Sequence, residues 1–294
     1  MRLLIAISSK EYSESTLQIG LRVAKAFNAC ITIACVGQKP SSFAQDQVRL
    51  AQESMERWDF DLPAVTVLEW AFDYLVNYGF ISQESCEIGF KKRLLVKRAG
   101  DRGEINFKGT FCERVDMIVR FGDIITELRD EVQKHDYDVT IIGGSKKRRM
   151  AHDLVQFIDS SILVAKQIDF DKPYRILLPV DDSKGTLKAV IFGIQIAKAY
   201  KLEVDVLTVS KRQRFGAGYR GASDRACRYL NNADVRYKRH LVVGDPVNTI
   251  VERAGENHLI IMGVSSKNPL KKFFVGSKPL NVMTASDNPI LIVK

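Results

Sequence analysis

An internal repeat constrains this chain more than any other property of its sequence. It opens "RLLIAISS", an apolar strand-type run, followed by the helical "STLQIGLRVAKAF" and a second strand, "CITIACV". Past the midpoint come "RILLPVDDS", "TLKAVIFGIQIAKAY" and "EVDVLTVS" in the same order. Further on, "MIVRFGDIITELRDEVQKHDYDVTIIGGS" in the first half matches "RHLVVGDPVNTIVERAGENHLIIMGVS" in the second: a strand ending at Gly-Asp, a helix, and a strand ending at glycine. Tandem copies of one supersecondary plan are therefore expected. Strand and helix alternate in each, which implies parallel sheets with right-handed crossovers and helices on both faces.

The offsets show where the copies differ. Gly122 to Gly244 is 122 residues and Gly143 to Gly263 is 120, but Ser8 to Asp181 is 173. The first copy thus carries about fifty extra residues, roughly 60–111, before its Gly-Asp. Within them "LPAVTVLEWAFDYLVNYGF" predicts a helix, and "IGFKKRLLVKRAGDRGEINFKGTF" predicts two strands around a glycine turn. The expected fold class is α/β, two tandem open, mostly parallel sheets, with domains at 1–168 and 172–294 joined by "QIDFDKP".

With 294 residues, 46% hydrophobic and 27% charged, the chain suits two domains of ordinary size. No apolar run approaches the roughly 18 residues of a membrane span. "MRLLIAISSKEYSES" turns polar too soon for a signal peptide, so a cytoplasmic protein is expected. Cys30, Cys35, Cys86, Cys112 and Cys227 include no CxxC pair and read as reduced core or boundary residues. His135, His152, His240 and His258 lie far apart in sequence, and no protein-built metal site is expected. Charge is unevenly placed: 23 basic and 24 acidic residues up to Phe170, then 21 and 11 after it. The basic second half favours an anionic partner: a nucleotide, a nucleic acid or an acidic protein.

Walker A, GxSxG and HExxH patterns are absent, and no built-in nucleophile is visible. "GAGYRG", Gly216 to Gly221, fits GxGxxG but is separated from the preceding strand by "SKRQRF", so it predicts a basic loop before a helix at "ASDRACRYL". More telling is the strand end "LLPVDDS", where Asp181 would point a carboxylate into the crevice beyond the sheet, able to accept from ribose hydroxyls or an adenine amino group. Helix capping is the competing use. Gly263 ends the strand "HLIIM", Ser266 follows, and Gly276-Ser277 opens the helical "SKPLNVMTAS". Glycines permit close backbone approach, and a helix N-terminus faces an anion, with Lys267, Lys271 and Lys272 adding positive potential.

At these residues the sequence resembles the universal stress protein family, most strongly from Tyr174 to Lys294, through "RILLPVDDS", "VVGDP", "LIIMG" and "NPILIVK". The family's ATP motif is glycine, two residues, glycine, nine residues, then glycine with serine or threonine. Here it reads Gly263, Ser266, Gly276, Ser277, with Ser266 in place of the second glycine. The resemblance implies an adenine nucleotide alpha hydrolase-like fold and ATP, or AMP or ADP, held by Pro179, Val180, Asp181, Val209, Met262, Gly263, Ser265, Ser266, Gly276 and Ser277. Magnesium would be carried by the phosphates.

It implies the opposite for the first domain, where Ser8 replaces the acid and "GGSKKRRMAHDLVQF" lacks the Gly-Ser. There the phosphate loop and part of its helix are expected to be shortened, leaving Lys146, Lys147, Arg148 and Arg149 as a solvated or partner-binding cluster. Family members pair through their last strands, so "SSILVAK" and "NPILIVK" are expected to form an intramolecular pseudo-dimer, with a further homodimer left open. The expected function is a nucleotide-binding stress-response regulator with an unknown protein partner. No general base is evident, so it would be at most a slow ATP hydrolase. The alternatives are a nucleotide-independent protein that binds an acidic protein or nucleic acid through its basic surface, and an adenylating enzyme, whose motifs are missing.

Overall fold

A computed structural model of the chain describes residues 1–38, 63–91, 94–98, 102–144, 148–169, 172–213, 215–264 and 277–294. The first half runs β1 (Arg2–Ile7), α1 (Lys10–Ala26), β2 (Cys30–Gly37), α2 (Pro63–Asn77), α3 (Gln83–Ile88), β3 (Val96–Arg98), β4 (Arg102–Phe107), β5 (Val115–Phe121), α4 (Ile124–His135), β6 (Val139–Gly143), α5 (Arg148–Phe157) and β7 (Ser161–Ala165). The second runs β8 (Arg175–Pro179), α6 (Gly185–Tyr200), β9 (Val204–Ser210), α7 (Ala217–Asn232), β10 (Tyr237–Val243), α8 (Pro246–Ala254), β11 (His258–Gly263), α9 (Ser277–Ala285) and β12 (Ile290–Val293).

The twelve strands among the described residues join one sheet in the order β10-β9-β8-β11-β12-β7-β6-β1-β2-β5-β4-β3. From the centre outward the halves match strand for strand: β12-β11-β8-β9-β10 on one side and β7-β6-β1-β2-β5 on the other. Pairing within each five is parallel. At the centre β7 and β12 run antiparallel, Leu291 opposite Leu163. The extra residues of the first half contribute α2, α3 and the antiparallel β3 and β4, with β4 added alongside β5.

Successive strand residues point to opposite faces, so each face acquires its own core. Leu3, Ile5, Ile33 and Ile141 pack with Leu17 of α1, Leu68 of α2 and Ile196 of α6. Leu4, Ala34 and Ile118 face the other way, with Leu128 of α4, Leu154 of α5, Ile250 of α8 and Leu280 of α9. Both cores run through the two halves without interruption. Strands buried on both faces must be nearly all apolar, which is why the sequence shows continuous runs there rather than alternation.

Helix starts follow local chemistry. Asp123 accepts from Thr126 N, and Asp245 from Val247 N and Asn248 N ahead of Pro246. One expectation fails: Gly216 to Gly221 is no loop, because α7 begins at Ala217 and takes in Gly218 and Gly221. Burial of Ala222, Ala226 and Leu230 against the sheet outweighs the helix cost of two glycines, about 1 kcal/mol each. The expected helix and strand pair of the insertion are present, while the short α3, capped by Ser82, was not foreseen.

The halves are fastened across the central strand pair. Lys166, just past β7, donates from Nζ to the carbonyls of Met283 (2.8 Å) and Ser286 at the end of α9. Lys294, just past β12, does the same for Val155 (2.9 Å) and Ile158 at the end of α5. Each lysine thus supplies donors to carbonyls that the other half's last helix leaves unpaired. On the opposite face Phe27, just past α1, packs on Phe192 of α6, centroids 5.1 Å apart, and Tyr200 donates to the Arg22 carbonyl at 2.6 Å.

Candidate functional site

The carboxyl ends of β8, β9 and β11 and the starts of α6 and α9 meet at one end of the second half. β8 closes at Pro179, and buried Val180 is fixed by its amide, which donates to the Leu207 carbonyl at 2.8 Å. The next residue, Asp181, is half-buried. Its Oδ1 accepts from Ser183 N and from Thr186 Oγ1, both at 3.0 Å. Lys278, in the first turn of α9, brings Nζ to 3.7 Å from Oδ2. Burial alone would raise this carboxyl, but the Ser183 and Thr186 hydrogen bonds and the Lys278 charge outweigh it and hold Asp181 below the usual carboxylate range. Asp181 therefore does two things: one oxygen closes the turn into α6, and the other faces the start of α9.

Gly263 has a packing role that its position in the sequence does not show. A Cβ there would stand 2.2 Å from the Gly185 carbonyl oxygen and 2.8 Å from Thr186 N, and a Cβ on Gly185 would stand 2.4 Å from the Val264 carbonyl. These two glycines let the end of β11 lie directly against the first turn of α6. The contact positions the turn that carries Asp181. Met262 is buried, and so is the Val209 side chain on the α8 and α9 face of the sheet. Ser265, Ser266, Gly276 and the loop lysines Lys267, Lys271 and Lys272 lie outside the described residues; Ser277 is the first residue of α9. The structure thus brings together Pro179, Val180, Asp181, Met262 and Gly263, and adds Lys278, which the motif did not contain. Gly218 of α7 also borders the site, since a Cβ there would meet Asp182 Oδ2 at 3.2 Å.

The same corner of the first half keeps the scaffold and changes the groups. Ser13 Oγ accepts from Ser8 N at 2.9 Å, as Thr186 Oγ1 accepts from Asp181 N at 3.4 Å. Ser8 supplies no carboxylate, and Tyr12 stands where the second half has Gly185. The expectation of a shortened helix is corrected: α5 has 10 residues and α9 has 9. The difference lies in the connection, since α5 starts five positions after Gly143 and α9 fourteen after Gly263. Lys146 and Lys147 lie outside the described residues, and Arg148 and Arg149 open α5.

A second polar cluster, at the amino ends of the strands, was missed. Asp205 of β9 accepts from Arg175 Nε at 2.7 Å, lies 3.0 Å from His258 Nε2 and 2.9 Å from His240 Nε2, and Arg175 also pairs with Glu203 at 2.5 Å. Burial would raise Asp205, but Arg175, His258 and His240 together hold it far below the usual range. Histidines distant in sequence thus converge in space. The available signal was one polar residue at or near the start of each apolar strand: Arg175, Asp205, His258. Among the described residues no group of three or more His, Cys, Asp or Glu could hold a metal ion, and no helix is long and apolar enough to cross a membrane.

Comparison with known proteins decides the family. Residues 174–294 match the model of the universal stress protein family. Residues 174–294 are thus a universal stress protein domain. A universal stress protein of Methanocaldococcus jannaschii is 29% identical over 122 residues, covering 40% of this chain and 75% of its own length. Another from the same organism is 28% identical over 138 residues, covering 41% and 81%. A universal stress protein structure from Archaeoglobus fulgidus covers 100% of this chain and 96% of its own at TM-score 0.62 with 14% identity, a likeness of fold that spans both halves.

Proposed function

We propose that the second half of this chain binds an adenine nucleotide, ATP foremost, with AMP and ADP as related ligands, and that the first half is a degenerate copy without a nucleotide site. The observation that carries the reading is the Asp181 carboxylate at the end of β8, held ionised and 3.7 Å from Lys278 at the start of α9. An acceptor for ribose or adenine and the helix start suited to phosphate stand side by side. The residues proposed to hold the nucleotide are Pro179, Val180, Asp181, Val209, Met262, Gly263, Ser265, Ser266, Gly276 and Ser277, with magnesium held by the phosphates. The bound state would be reported to a protein partner, and any ATP hydrolysis would be slow. The β7–β12 pairing would be the internal equivalent of a dimer.

Isothermal titration with ATP and magnesium tests this: a dissociation constant below millimolar is expected, weakened about 10- to 100-fold in Asp181→Ala, as suits loss of a hydrogen-bonded charge. Affinity weaker than millimolar in the natural protein would refute the reading.

One observation favours a nucleotide-independent interaction instead. The edge strand β10 exposes Tyr237, Leu241 and Val243 by 36%, 42% and 48%, next to exposed Arg236, Lys238 and Arg239. An acidic extended segment of another protein suits such an edge. Binding of that kind would be indifferent to Asp181→Ala and lost in Lys238→Glu with Arg239→Glu.

A further inference from the structure

Two thiols meet where the insertion rejoins the sheet. Cys30 opens β2, and Cys112 lies in the connection from β4 to β5. The parallel register sets Thr32 opposite Asp116, so Cys30 is level with Arg114, two residues past Cys112. Cys112 Sγ donates to the Arg114 carbonyl at 3.1 Å, and the Cys30 thiol is near enough to act on the Cys112 thiol. The turn is tight: a Cβ on Gly109 would stand 2.6 Å from the Cys112 carbonyl and 3.3 Å from its Sγ. Cys30 and Cys112 are both half-buried, open to a small reagent, whereas Cys35 and Cys227 are buried.

We propose that Cys30 and Cys112 form a dithiol site that small-molecule disulfides oxidise to an intramolecular disulfide. One cysteine thiolate displaces a sulfur of the reagent RSSR, giving a mixed disulfide and one thiolate RS⁻. The second cysteine thiolate attacks the protein sulfur of that mixed disulfide and releases the other RS⁻. Two cysteine protons end on two RSH, and the reagent is reduced by the two electrons the cysteines lose. The bond would tie the insertion's closing turn to the start of β2, closing a loop from Cys30 to Cys112. Nucleotide binding has no part in this, and the two readings stand or fall separately.

Burial pushes the Cys112 thiol up to about 11, with Cys30 beside it adding to the effect. Exchange there is slow at neutral pH, so the test is run at about pH 8.5 over hours. The folded, full-length protein is incubated with oxidised glutathione, alkylated and mapped by mass spectrometry without reduction. The expected product is a crosslinked Cys30–Cys112 peptide two hydrogens lighter, with two thiols fewer per chain. A melting temperature raised by roughly 5 °C, and restored by dithiothreitol, should accompany a crosslink that closes so long a loop. Cys86→Ser should form the same crosslink, and Cys112→Ser should stop at a glutathione adduct on Cys30. Cys30→Ser, with the adduct on Cys112, serves the same purpose if Cys112→Ser does not fold. Stable glutathione adducts on both cysteines of the natural protein, a crosslink to Cys86, or no reaction would each overturn the proposal.

Discussion

β5 and β10 hold the same place in their halves, the outermost of five parallel strands, yet one is interior and the other bare. Six of the seven β5 residues are buried, while β10 is exposed along most of its length. The difference is β4, which pairs with β5 from Phe107 opposite Val115 to Gly103 opposite Val119. The insertion therefore closes an edge, and it does so with charges in paired form: Arg102 of β4 and Arg120 of β5 converge on Glu131 of α4, and Arg114 and Asn106 hold Asp116. β10 keeps Lys238 and Arg239 on an open edge, where cations discourage chance strand pairing. One scaffold thus supports two ways of ending a sheet, and each depends on how its charges are compensated.

The severest way to break the closed edge is Glu131→Ala. Glu131 is fully buried and accepts from Arg102, Arg120 and Tyr137, so its removal strands two guanidinium groups in the interior. A loss of about 3–5 kcal/mol is expected. Both tryptophans, Trp58 and Trp70, belong to the first half, so a urea titration followed by their fluorescence reads this half directly. Acid offers a second probe. Although burial acts to raise them, Arg102 holds Glu131, and Arg175 with His258 holds Asp205, below their ordinary values. Carboxyl groups depressed in this way contribute stability that is complete above about pH 4–5, the unfolded-state range, and is lost as pH falls through their folded values. Glu131→Ala should flatten the acid limb of the fluorescence-monitored stability curve, and an unchanged limb would contradict the assignment.

A somewhat smaller effect distinguishes the two strand-end glycines. Gly263→Ala must push apart the backbones of β11 and α6, since the new Cβ lies 2.2 Å from the Gly185 carbonyl oxygen. About 3 kcal/mol of destabilisation is expected, with a matching drop in the midpoint followed by circular dichroism. Gly143→Ala presses on Thr16 Oγ1 at 3.1 Å, a side-chain atom able to yield, meets Tyr12 O at an ordinary 3.7 Å, and should cost less than about 1 kcal/mol. Equal costs would mean that the close approach is not what keeps glycine at 263.

These contacts also mark what could be read from the residues and what could not. Repeat order, strand and helix types, the extra residues and the Asp181 strand end follow from periodicity and spacing, because local pattern decides an element's type and its ends. α7 was misread because two glycines speak for a loop locally, whereas Ala222, Ala226 and Leu230 settle the matter by packing. The packing role of Gly263 is not legible locally, because no signal near it shows that Gly185, 78 positions earlier, fills the space beside it. The Asp205 and Glu131 clusters depend on strand order, which brings Arg175 and His258, or Arg102 and Arg120, beside one carboxylate.

The mildest test concerns the fastening that the two halves share. Lys166→Met and Lys294→Met each remove the donor to carbonyls at the end of the opposite half's last helix, but each also removes the cost of burying an ammonium. The two terms oppose, so about 1 kcal/mol is expected for each, and the pair should be nearly additive because they serve different helices. Burial pushes the Lys294 ammonium down to about 8, against the pull of Asp159. Between about pH 8 and 10 the unfolded chain then binds a proton that the folded chain has released, so stability rises with pH across that window. Circular dichroism melts from pH 7 to 10 should show this rise in the natural protein and lose it in Lys294→Met. If the rise persists in the variant, the ammonium at the end of α5 is not its source.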